Sequence, residues 1–129
     1  MQDVVEFAHR FITATGEGDL ETVASLYAPE AVIWINAVGT EMPAADGLGV
    51  LAGLHQRAAS VRYEVLEVLP TPEGYVQRHV LHVVVPARDD RPEQALAVPA
   101  CLVVRLDGGR ITRLDEYLDS GQIAPLFAR

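Results

Sequence analysis

Apolar residues recur at helical spacing only in the first half of the chain. In "QDVVEFAHRFITAT", Val4, Phe7, Ala8, Phe11 and Ile12 share one face and predict an amphipathic helix over residues 2–15. "GEGD" interrupts it, and Asp19 is placed to cap a second helix, "LETVASLY", with Leu20, Val23, Ala24 and Tyr27 on one face. "APEA" reads as a turn and "AVIWIN" (31–36) as a strand, while Gly39, Pro43 and Asp46 mark residues 37–46 as a loop. Asp46 or a neighbour is expected to start a third helix, "GLGVLAGLHQRAAS". From about residue 61 the period changes to two. "VRYEVLEVLP", "YVQRHVLHVVVPA", "ALAVPACLVVRL" and "RITRLDEYLD" read as strands, separated by "TPEG", "RDDRPEQ" and the hairpin turn "DGG". Ser120 is expected to cap a last helix of a turn or two, "GQIAPLFAR", limited by Pro125. Helices followed by a run of antiparallel strands indicate an α+β fold, with a curved sheet wrapping the helices.

At 129 residues, half of them hydrophobic, the chain reads as one domain, 1–129, with a substantial core and no linker or repeat. A net charge of −8 argues against a nucleic-acid or anionic-membrane partner. Cys101 is the one cysteine, so no intramolecular disulfide or cysteine-rich zinc site is expected, and it sits in an apolar strand without an activating base. "MQDVVEFAHRF" lacks the basic and continuous apolar regions of a secretory signal, and no run is long enough to span a membrane, so a cytoplasmic location is expected.

Alternation sorts the strand residues into faces. In the last strand Thr112, Leu114, Glu116 and Leu118 form one set, and Arg113, Asp115, Tyr117 and Asp119 the polar other. Glu116 is therefore expected to be enclosed between leucines. Desolvation would raise its pKa towards the range useful to a general acid or base. "AVIWIN" puts Val32, Trp34 and Asn36 on one face, an indole and an amide suited to a polar pocket, and Ala31, Ile33 and Ile35 on the other. "YVQRHVLHVVV" divides into Tyr75, Gln77, His79, Leu81 and Val83 against Val76, Arg78, Val80, His82 and Val84. His79 and His82 thus point to opposite faces and cannot chelate one metal, and neither metal nor cofactor binding is expected. His82 is the favoured histidine because Arg78 shares its face.

The segments "GDLETVASLYAPEAVIW" and "GGRITRLDEYLDSGQIAPL" resemble the second helix with first strand, and the last hairpin, of the nuclear transport factor 2-like superfamily, in its SnoaL-like and limonene-epoxide-hydrolase-like branches. The resemblance covers essentially the whole chain. It implies a cone-shaped α+β barrel, helices closing a strongly bent sheet around an apolar pocket, and a homodimer. In the epoxide hydrolase branch, the water-holding Tyr-x-Asn looks matched by Trp34-x-Asn36, and the water-activating Asp before the last strand's Tyr by Glu116 before Tyr117. That branch's Arg-x-Asp is unmatched; its positions fall on Val80 and His82, with Arg78 two residues earlier. The polyketide cyclase branch uses a carboxylate or His within an apolar pocket.

The expectation is an acid–base enzyme acting on a small apolar, polyketide- or terpenoid-like substrate, a SnoaL-like cyclase or isomerase. Glu116 would be the base, His82 the donor, and Asn36 would orient water or substrate. Trp34, Arg78, Val80, Val98, Ala100, Leu102, Leu114 and Leu118 would line the pocket. The alternatives are an epoxide-opening enzyme and a non-catalytic binding or dimerisation module.

Overall fold

The computed structural model describes residues 3–127. The predicted helix starts and ends at residues 2 and 129 lie outside that range. Helix α1 (Val4–Glu17) is closed at both ends by its own sequence. The Asp3 carboxylate accepts from the backbone N–H groups of Val5 and Glu6, and Gly18, at φ 70°, turns its N–H back onto the Ala14 and Thr15 carbonyls. Its apolar stripe (Phe7, Ala8, Phe11 and Ile12) is buried as the spacing predicts. Helix α2 (Leu20–Ser25) is capped by Asp19, but Tyr27 does not continue it. Tyr27 instead opens strand β1 (Tyr27–Ile35), which absorbs "APEA". The physical reason is tertiary: Tyr27 packs edge-on to Phe11, at 5.7 Å between ring centroids, and Ile111 N–H bonds Leu26 C=O at 2.8 Å.

Strand β2 (Glu41–Pro43), within the predicted loop, is too short to show a period and exists by pairing with β1. Helix α3 (Ala44–Arg57) starts before Asp46, with Pro43 at its N-cap. Helix α3 packs closely on β1 at Gly47, where a Cβ would make the Ile33 Cδ1 methyl turn aside, whereas a Cβ on Gly74 would meet the Val104 backbone carbonyl itself. Strands β3 (Ser60–Thr71), β4 (Gly74–Val85), β5 (Gln94–Asp107) and β6 (Arg110–Leu118) follow the alternating segments closely. Helix α4 (Ser120–Phe127) is started by Asp119, not Ser120; the Asp119 carboxylate accepts from Gln122 N–H at 3.0 Å.

The sheet order is β2-β1-β6-β5-β4-β3, with β1 parallel to β6 and every other pair antiparallel. The sheet is curved and open, edged by β2 and β3. A register shift between Arg105 and Leu106 leaves Thr112 as an extra residue of β6, so Ile111, fully buried, joins the inner face in its place. Two apolar clusters occupy the concave side. One lies under α1 (Phe7, Phe11, Tyr75, Val104, Ile111), the other under α4 (Leu81, Val83, Val98, Ile123, Leu126).

Candidate functional site

Residues from both clusters line a cavity of about 900 Å³ on the concave face, a size in the range of small-molecule pockets. Its walls come from α1 (Phe11, Ile12, Thr15), Val23 of α2, the inner faces of β1, β3, β4, β5 and β6, and from α3 and α4. Three leucines expected in the lining, Leu102, Leu114 and Leu118, are there, and so is Glu116. Glu116 stands beside Ile35 on β1 and Leu102 on β5. Its remaining exposed surface faces the cavity, and desolvation raises its pKa from 4.5 to about 7.

Other expected site residues are placed elsewhere. His82 lies on the convex face, where its Nε2 is 2.8 Å from Glu64 Oε1 on β3. Arg78 shares that face and pairs with Glu67 at 2.9 Å. Val80, next to Pro99 and Glu64, is on the same side. The faces of β1 are likewise the reverse of the expectation: Ile33 and Ile35 line the cavity, while Trp34 packs on Tyr117, 5.2 Å between centroids, on the convex surface. Asn36 is exposed and outside the cavity lining, and its amide is used by the β1–β6 ladder. Its Nδ2 donates to Leu118 C=O at 2.9 Å and its Oδ1 accepts from Leu118 N–H at 3.1 Å, continuing the β1–β6 ladder. Ala100 lies between His79 and Leu118 on the strand face of Leu102, but it lines a separate, shallower depression with His79, Leu118, Pro99 and Cys101. Val98 is fully buried beneath α4, away from the cavity lining. Asp115, on the polar face of β6, is held by Arg113 in a two-pronged pair at 3.0 Å, and Arg113 also bonds Glu41.

The histidine that lines the cavity is His79, 1% exposed and on the strand face not favoured from sequence. Burial lowers its pKa from 6.5 to about 4, so it is neutral near pH 7. Gln77, also fully buried, donates from Nε2 to His79 Nδ1 at 3.0 Å, which leaves the ring proton on Nε2. His79 Nε2 and Gln77 Oε1 have no hydrogen-bond partner among the described residues. The imidazole packs edge-to-face with Tyr63, 5.1 Å between centroids. Tyr63 and Tyr27 both line the cavity. Their phenol pKa values are pushed well up, first by desolvation and next by the nearby Glu116 charge, so both stay protonated donors. The signal for His79 was available: Arg78 and His82 make their face the charged one, and charge marks solvent. Tyr63 and Tyr27 carried no such signal.

Glu116 and His79 are on strands separated by β5, roughly 10 Å apart at the usual strand spacing. That gap admits a substrate between them. Among the described residues no three His, Cys, Asp or Glu side chains gather as metal ligands, and no helix is long and apolar enough to cross a membrane.

Fold and site define a class: a small α+β protein whose curved sheet and helices enclose a mainly apolar cavity with one buried carboxyl. Residues 8–114 match the model of the SnoaL-like domain, and the chain belongs to that family. Among solved structures, it is similar to IdmH of Streptomyces antibioticus, a candidate polyketide cyclase, at 20% identity and TM-score 0.84, with 98% of this chain and 99% of that one covered. An NTF2-like protein from Burkholderia thailandensis E264 superposes at 12% identity and TM-score 0.81, with all of both chains covered. An LEH-like epoxide hydrolase from M. tuberculosis does so at 15% identity and TM-score 0.74, covering 95% and 87%. At these identities the likeness is one of fold. No curated protein matches the sequence significantly.

Proposed function

We propose that this SnoaL-like protein is an acid–base enzyme that isomerises or cyclises a small, largely apolar carbonyl compound, polyketide- or terpenoid-like, inside the cavity. The observation that carries the reading is Glu116, a carboxyl in an apolar cavity whose pKa of about 7 poises it for proton transfer near neutral pH. The Glu116 carboxylate takes a proton from the carbon α to the carbonyl, and the C–H electron pair moves into an enolate. Tyr27 and Tyr63 hydroxyls, with His79 Nε2–H, are the donors that stabilise the enolate oxygen. Isomerisation ends when protonated Glu116 returns the proton to another carbon. Cyclisation ends when the enolate carbon bonds a second carbonyl carbon and the resulting alkoxide takes the proton from Glu116. Neither sequence consumes an oxidant or a reductant.

An epoxide-opening reaction is the weaker alternative, because the Trp34-x-Asn36 pair that would hold its water faces away from the cavity. A homodimer would cover the convex face, where Leu66, Leu69, Val103 and Tyr117 are exposed. The test is Glu116→Gln assayed with a β-dicarbonyl polyketide-type substrate. Turnover is expected to fall about 100- to 10,000-fold, the usual worth of a general base. Wild-type kcat/KM should rise with pH to a plateau above about 7. Unchanged turnover in the variant would remove Glu116 as the base, and no turnover by the wild type would leave only a ligand-binding or dimerisation module.

A further inference from the structure

The cavity has one cation in its lining among the described residues besides the titratable His79, and it lies at the rim. Arg57, on the last turn of α3, is exposed and sits over the Phe127 ring of α4, 5.1 Å from its centroid. No carboxylate among the described residues pairs with it, whereas Arg78 and Arg105 each have one and Arg113 has two. Stacking on an aromatic face steadies a guanidinium while leaving its edge donors open. Apart from Arg57 and Ser120, the exposed side chains of the lining are apolar, the large ones being Val38, Val50 and Phe127.

Arg57 and Glu116 are far apart in the cavity. The end of α3 is tied to the far part of β4 by Ala59 N–H bonding Val84 C=O at 2.8 Å. Glu116 is level with Gln77 through Leu102. Gln77 and Val84 are separated along β4 by roughly 20 Å of strand, shortened by the reach of the two side chains into the cavity. A ligand touching both has an extended skeleton.

We propose that the cavity selects ligands with an extended apolar body and an anionic end, a carboxylate or an equivalent oxyanion, which Arg57 binds at the rim. The apolar body fills the space beneath α3 and α4, and the end remote from the anion reaches Glu116. In a protein of net charge −8, such a cation at the entrance offsets the repulsion an anionic ligand would otherwise meet. The assignment rests on the cavity being the ligand site, as in the acid–base reading, but does not need Glu116 to be catalytic.

The experiment compares two fluorescent probes with one body, anionic anilinonaphthalene sulfonate and neutral N-phenylnaphthylamine, at pH 6 and low salt. At that pH Glu116 is mainly protonated and does not repel the sulfonate. The two probes should compete. Arg57→Gln should weaken the sulfonate about fivefold, the upper worth of an exposed charge pair, and leave the neutral probe within about twofold. Arg57→Lys should restore part of the loss, and added salt should erase the difference in the wild type. Equal weakening of both probes, no weakening of either, or failure of the neutral probe to displace the sulfonate would overturn the anchor. Absence of binding by either probe would overturn the cavity as a ligand site as well. Tight neutral-probe binding with an inactive anchor would leave the Glu116 chemistry standing.

Discussion

His79 and His82 are three residues apart on one strand, and the two faces of the sheet give them opposite characters. His82, on the convex face, meets Glu64 at partial exposure, a pairing of the kind that contributes little. His79, on the concave face, is sealed against Gln77 and Tyr63 and held neutral to about pH 4. Glu116 and Asp115 repeat the contrast on β6. Asp115 points outward to Arg113, whereas Glu116, one residue later, points into the cavity and holds its proton up to about pH 7. Residue type sets what chemistry is available, and the face sets whether it is tuned.

The largest expected effect that could break this comparison is in the pH dependence of stability. Between 4.5 and about 7 the unfolded chain has lost the Glu116 proton that the folded one retains, so stability falls as pH rises, by up to about 3 kcal/mol. For His79 the sign reverses. Between about 4 and 6.5 the unfolded chain binds a proton that the folded one refuses, so stability rises with pH by a similar amount. In the wild type these slopes oppose each other and should nearly cancel from 4.5 to 6.5. Urea unfolding of Glu116→Gln should therefore show stability climbing through that window, and a variant more stable than wild type at pH 8. His79→Gln should show the reverse slope. Parallel curves for all three proteins would mean that neither group is tuned by burial.

A smaller effect is expected at Gln77. Replacing it by Met removes the donor to His79 Nδ1 and leaves that nitrogen buried without a partner, at about 1–3 kcal/mol in denaturant unfolding. Nitrogen chemical shifts of the His79 ring should then show mixed tautomers, which a loss of packing alone would not produce. The smallest change belongs to the convex face: His82→Ala should alter stability by no more than about 0.5 kcal/mol and leave probe binding untouched. A large loss of binding in that variant would reverse the ranking of the two histidines.

Several elements were legible because local chemistry suffices for them. Asp3, Gly18 and the Val4–Ile12 stripe specify α1, and alternation with "DGG" specifies the β5–β6 hairpin. Helix α2 ends early and "APEA" extends because of pairing with β6, which no local pattern encodes. Strand β2 owes its existence to β1 alone.

By itself the sequence determined the α+β order, the sharing of faces along β4 and along β6 from Arg113 onward, and the placement of Glu116 between Leu114 and Leu118. It did not determine which face of β1 or β4 is inside, because alternation is symmetric: it groups residues into two sets without naming the covered one. Only the tertiary structure decided that, by setting the helices over Ile33, Ile35, Gln77 and His79 and leaving Trp34, Arg78 and His82 outside. Covering a face removes water, and removing water is what shifts a carboxyl or an imidazole away from its ordinary titration.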